Sequence, residues 1–158
     1  MWELCGQPNR EFRSFIETTL TEVINEHRHE QATWPTTTDC DRLDAAFAEL
    51  DSLGILARQN YEDTLTSGCA AIRSEIEKEQ SNRKIKGYVF FHEQDTEAAV
   101  KYDGPVLAWG AVEESEDAWR EIANEIIAVL RRHGFECDWP GQTNCRISIN
   151  KMRWQRRR

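Results

Sequence analysis

The most compact group of residues able to do chemistry is Phe91-His92-Glu93-Gln94-Asp95-Thr96-Glu97. It follows Gly87-Tyr88-Val89-Phe90, a segment dense in aromatic and β-branched residues that reads as a strand running to His92. Imidazole and carboxylate are the groups that ligate a divalent metal or act as a base and its orienting partner. His92, Asp95 and Glu97 therefore form the candidate trio, with Gln94 and Thr96 beside them. A local reading competes with this one. A short helix over Thr96 to Tyr102 would use Asp95 or Thr96 as its cap and Glu97 as a first-turn acid, leaving His92 a satisfied histidine at the strand end. No dinucleotide, phosphate-loop, serine-hydrolase or zinc-helix motif accompanies the group, so neither a cofactor nor a bound metal is expected.

Three other constellations carry less. Glu26-His27-Arg28-His29-Glu30 spaces its histidines two apart, so on a helix they point away from each other, whereas zinc helices use a spacing of four. Ser67-Gly68, ahead of a helix, could hold an anion on free amides, but Glu62 and Asp63 would repel it. The cysteines at 5, 40, 69, 137 and 145 form no C-x-x-C pair. If Pro140 to Gln142 is a hairpin loop, Cys137 and Cys145 sit opposite each other and a disulfide is sterically open. An odd cysteine count behind a start, Met1-Trp2-Glu3-Leu4, that lacks the order of a signal peptide favours reduced, buried thiols and a cytoplasmic setting.

The elements that must position these residues follow from periodicity. Asn9 to His29 carries Phe12, Phe15, Ile16, Leu20, Val23, Ile24 and His27 at steps of three and four, one apolar stripe on a long helix that needs something to lie against. Trp34-Pro35 ends it. Thr38 and Asp41 start a second helix in capping-box fashion, Leu43 to Leu53 continue it, and Gly54 stops it. Ile55 to Tyr61 reads as a strand, Glu62 to Ser67 as a loop, and Cys69, Ile72 and Ile76 as a third helix. Pro105 to Val112 is a strand apolar enough to be buried on both faces. Ser115 caps a last helix whose face is Trp119, Ile122, Ala123, Ile126, Ile127, Val129 and Leu130; His133 sits at its end and Gly134 stops it. Phe135 to Trp139 and Cys145 to Ile149 close as a hairpin. The order is α-α-β-α-β-(α)-β-α-β-β, an α+β fold with a mixed sheet of about five strands and helices mainly on one face. The divisions expected are a docked N-terminal helix over 1–33, an α+β domain over 34–150 and a basic tail over 151–158.

Charge bounds the partners. The 158 residues carry a formal charge of -8, and the first 145 hold 14 basic against 28 acidic residues. Such a body repels phosphate backbones, which argues against nucleic acid. The remaining six basic residues, Arg146, Lys151, Arg153, Arg156, Arg157 and Arg158, form a tail that is either solvated or folded back on the acidic body. No apolar run is long enough to span a membrane.

Asp39 to Phe47, Gly54 to Tyr61 and above all Gly87 to Glu97, with the pattern G-Y-V-F-(F/Y)-H-x-Q-D-T-E, resemble a bacterial domain family of unknown function. The resemblance covers about Trp34 to Ile149 and implies a small cytoplasmic bacterial protein without an assigned activity. It also implies a cysteine-rich loop after the first strand, where this chain has Tyr61 to Cys69 with one cysteine. His92, Gln94, Asp95, Thr96 and Glu97 fall within the shared pattern. The expectation is a non-catalytic module that binds a partner protein or small ligand, with a homodimer through the N-terminal helix and the terminal residues Trp2 and Trp154 as further contact surface. The alternative is a small enzyme or metal protein centred on His92, Asp95 and Glu97.

Overall fold

A computed structural model describes residues 10–157 of the chain. Trp2, Cys5 and Arg158, named above, lie outside the described residues. Two compact units divide the chain, one of residues 1–36 with 157–158 and one of Thr37–Arg156.

The first unit holds α1, Arg10–Thr33. It runs one turn beyond the stripe that marks it and gives way at Trp34, ahead of the helix-averse Pro35. The His27 ring meets Trp34 edge-on, with centroids 5.5 Å apart. No residue of α1 is buried, and Phe12, Phe15, Ile16, Leu20, Val23 and Ile24 all stand exposed.

The second unit is the α+β fold read from periodicity. Its elements are α2 (Asp39–Ser52), β1 (Ile55–Arg58), α3 (Leu65–Glu79), β2 (Gly87–Phe90), α4 (Glu93–Lys101), β3 (Val106–Ala111), α5 (Glu116–Arg132), β4 (Glu136–Asp138) and β5 (Ile147–Asn150). The sheet order is β1-β2-β3-β5-β4. β1 and β2 are parallel, joined through α3, and every other neighbour is antiparallel. β3, the apolar run, is the middle strand, with Leu107 and Trp109 buried toward one face and Ala108 toward the other.

Strand alternation sorts the core into two layers. Ile55, Ala57, Val89, Leu107, Trp109, Ile147 and Ile149 meet the apolar faces of α2 and α5 in the larger layer. Leu56, Phe90 and Ala108 meet Ile72 and Ile76 of α3 in the smaller one. Two glycines are required by geometry. Gly54 takes φ +84° where α2 turns into β1. Gly68 lets α3 approach the sheet so closely that a β-carbon there would lie 2.4 Å from the Phe90 ring.

Several boundaries differ from the periodic reading, and the two helix starts that move do so for a capping reason. α3 begins at Leu65 because Thr64 and Ser67 cap it reciprocally. That spends the groups suggested for an anion: the Ser67 N–H donates to Thr64 Oγ1 and the Gly68 N–H to the Thr64 carbonyl. α4 begins at Glu93, three residues early, with His92 rather than Asp95 or Thr96 as its cap. In the β4–β5 hairpin Cys137 faces Ile149, so the loop is longer than three residues and Cys145 is not opposite Cys137. Both thiols are free, as are Cys40 and Cys69.

Residues 152–156 fold back onto α2. Met152 is buried, Trp154 packs edge-on against Phe91, the Arg153 N–H donates to Asp39, and Arg156 makes a two-pronged ion pair with Asp44 at 2.9 and 3.0 Å. Among the described residues no helix is long and apolar enough to cross a membrane.

Candidate functional site

The group at 92–97 sits where the parallel strands β1 and β2 end. Two backbone hydrogen bonds tie the strand ends together there: the Tyr61 N–H donates to the Phe91 carbonyl (2.9 Å) and the Glu93 N–H to the Glu62 carbonyl (3.0 Å). Asn60 and Glu62, on either side of Tyr61, take positive φ of 48° and 59° to make this return.

His92 and Asp95 come together and are both buried, at 5% and 8% exposure. The Asp95 N–H donates to His92 Nδ1 (3.3 Å), and the His92 N–H donates to Asp95 Oδ2 (3.3 Å), a capping box in which imidazole stands in for a hydroxyl. His92 Nε2 lies 3.1 Å from the same Asp95 oxygen. Arg146, on the approach to β5, completes the cluster. One guanidinium nitrogen donates to Asp95 Oδ1 at 3.1 Å, and the other to Asp95 Oδ2 and the Val106 carbonyl. Its Nε is buried without a partner. Thr96 Oγ1 donates to the His92 carbonyl (3.2 Å), which fastens the first turn of α4.

Gln94 and Glu97 do not join this cluster; both are exposed on α4. Among the described residues no three of His, Cys, Asp and Glu converge closely enough to hold a metal ion. His92 Nδ1 and both oxygens of Asp95 are engaged in hydrogen bonds within the protein. The arrangement can therefore lock the strand–helix junction to β3 and β5.

A second polar cluster escaped the sequence reading. Between α2, the edge strand β1 and α3, Arg58 bridges Asp51 (2.8 Å) and Glu75, Tyr61 donates its hydroxyl to Glu75 (2.9 Å), and Arg83 reaches Asp51 (2.9 Å). Burial, then the Glu75 hydrogen bond, pushes the Tyr61 phenol up to about 12. Burial alone would raise Asp51, but the Arg83 and Arg58 guanidiniums outweigh it and hold the carboxyl below its ordinary value. These partners are 7 to 32 residues apart in sequence, so no local motif announces them. Arg146 was legible only as one charge of the basic tail.

Fold and site together define a small α+β domain with a mixed five-stranded sheet and a buried histidine–aspartate pair held by a partly buried arginine. The chain belongs to the family described as Domain of unknown function (DUF6891), whose model matches residues 2–158 and so takes in α1 as well as the sheet. Comparison with curated proteins and with solved structures gives no match.

Proposed function

We propose that this chain is a non-catalytic binding module that engages another protein through the apolar stripe of α1. The observation that carries the reading is that six large apolar side chains, Phe12 to Ile24, stand exposed on one helix, Phe15 at 66% and Leu20 at 57%. A helix this long with no buried residue gains little from propensity alone, and a contiguous exposed stripe of this kind is the signature of an interaction surface. α5 is the internal contrast: its stripe, Ile122 to Leu130, is buried against the sheet. The use of His92 Nδ1 as a helix cap and of the Asp95 carboxylate in binding Arg146 favours a structural over a catalytic role for that cluster and supports the non-catalytic half of the reading. On the resemblance and the four free thiols among the described residues we place the protein in the bacterial cytoplasm.

The test compares the full chain with its Leu20→Glu variant in native extract by sizing and cross-linking. The wild type is expected in an assembly larger than its own 18.4 kDa, and the variant at 18.4 kDa. If both migrate at 18.4 kDa, the stripe is not a contact surface and the reading is wrong.

A further inference from the structure

The rim of the α1 stripe identifies what kind of protein covers it, an inference that rests on the reading above. By helical periodicity one edge of the stripe is the row Glu11, Phe15, Thr19, Glu22, Glu26 and Glu30. Its C-terminal half is three glutamates at steps of four, all exposed, and among the described residues no salt bridge engages any of the three. Like charges at this spacing destabilise a helix standing alone. A cationic row laid alongside would relieve them while the stripe is covered.

Three occupants differ in what they bring to this row. A lipid surface is disfavoured, because α1 carries five glutamates against three arginines, whereas interfacial helices present a basic polar face to anionic headgroups. A second copy brings few cations. An antiparallel pair sets the row against the same edge of its twin, where the N-terminal half offers Glu11, Phe15 and Thr19. A parallel pair sets it against the other edge, where Ile24, Arg28 and Gln31 supply a single cation. A basic-edged helix of a different protein answers both the apolar stripe and the charge.

We infer that α1 recognises an amphipathic helix of another protein whose apolar face is bordered by lysine or arginine at steps of three or four. The apolar stripe supplies the adhesion, and the Glu22–Glu26–Glu30 row selects the partner and its direction.

Two synthetic helical peptides test this against the full chain, sharing one leucine–isoleucine stripe and differing in a lysine or a glutamate row along its edge. The lysine peptide is expected to bind about tenfold more tightly at low salt, with the preference shrinking as salt rises. The triple variant Glu22→Lys/Glu26→Lys/Glu30→Lys is expected to reverse the order, its thermal midpoint serving as a check that the sheet unit is intact. Equal affinity for the two peptides, lost equally in Leu20→Glu, would overturn the charge inference and leave the stripe reading standing. Binding of neither peptide, with Leu20→Glu indistinguishable from wild type, would remove both. Sedimentation of the chain alone at twice 18.4 kDa would assign the stripe to a second copy, and retention on vesicles of anionic phospholipid would assign it to a membrane; either result overturns the proposal.

Discussion

His92 closes α4 with an imidazole at a position where serine, threonine, aspartate or asparagine usually stand. If its work is the cap, an asparagine at 92 serves nearly as well, because the amide oxygen accepts from the same N–H. We expect His92→Asn to keep stability within about 0.5 kcal/mol of wild type and His92→Ala to cost about 1–2 kcal/mol, read by denaturant melts. Equal losses would mean that the imidazole does something besides capping. Asp95 stands differently, since it also neutralises Arg146. Asp95→Ala strands a partly buried guanidinium, and a loss of roughly 3 kcal/mol or more is expected by the same measurement. That a short helix follows the strand was legible at this scale, because acids and a threonine cluster at 95–97, but its first residue, Glu93, was not. Nor was the identity of the cap, because histidine is rare there. Arg146 could not be found at all: it lies 51 residues from Asp95 and meets it only once β3 and β5 have paired.

At the scale of elements, Gly68 sets the distance between α3 and the sheet. Alanine is the better helix former by about 1 kcal/mol. A β-carbon at 68 nevertheless collides with the wholly buried Phe90 ring, at a cost of roughly 1–3 kcal/mol. Gly68→Ala is therefore expected to destabilise, and Gly68→Ala/Phe90→Leu to lose less than the two single changes added, because the smaller side chain vacates the space. Additive losses in a double-mutant cycle would show that the glycine matters for another reason. Stripes made α2 and α5 easy to read, and continuous apolar character placed β3 in the middle. The start of α3 was hidden because its capping pair, Thr64 and Ser67, looks like polar loop until the hydroxyls are seen to face back on the backbone.

For the molecule as a whole, class and element order follow from periodicity, but the crossing that puts β5 between β3 and β4 does not. A strand's pattern states which faces are buried and leaves its neighbours unnamed. Stability against pH is another property of the assembled unit. Burial lifts the Cys137 thiol from 9.0 to about 11, as burial and Glu75 lift Tyr61 from 10.0 to about 12. Both groups hold protons more tightly when folded, so their contribution is fully present below the ordinary values and drains as pH rises from about 9 through about 12. Asp51 runs the other way: its lowered value contributes stability above the ordinary carboxylate range, and the contribution is lost as pH falls through that lowered value. Reversible melts across pH should show a plateau bounded on both sides, with Tyr61→Phe flattening the alkaline limb. An alkaline limb unchanged in that variant would assign the loss to the other groups that burial raises, Cys137, Cys40 and Tyr88.

The strap over α2 has a consequence for connectivity. The sheet unit begins at Thr37 and finishes at Arg156, and the Arg153 N–H lies 2.8 Å from Asp39 while Arg156 grips Asp44. Entry and exit of the chain thus share one corner of the domain, and its order of elements is one of several that the same packing would accept. A permuted chain that opens in the exposed turn near Gly141 and joins residue 156 to residue 37 through a short glycine linker should fold to the same sheet and melt cooperatively. The domain is built as a closed circuit that happens to be cut at that corner.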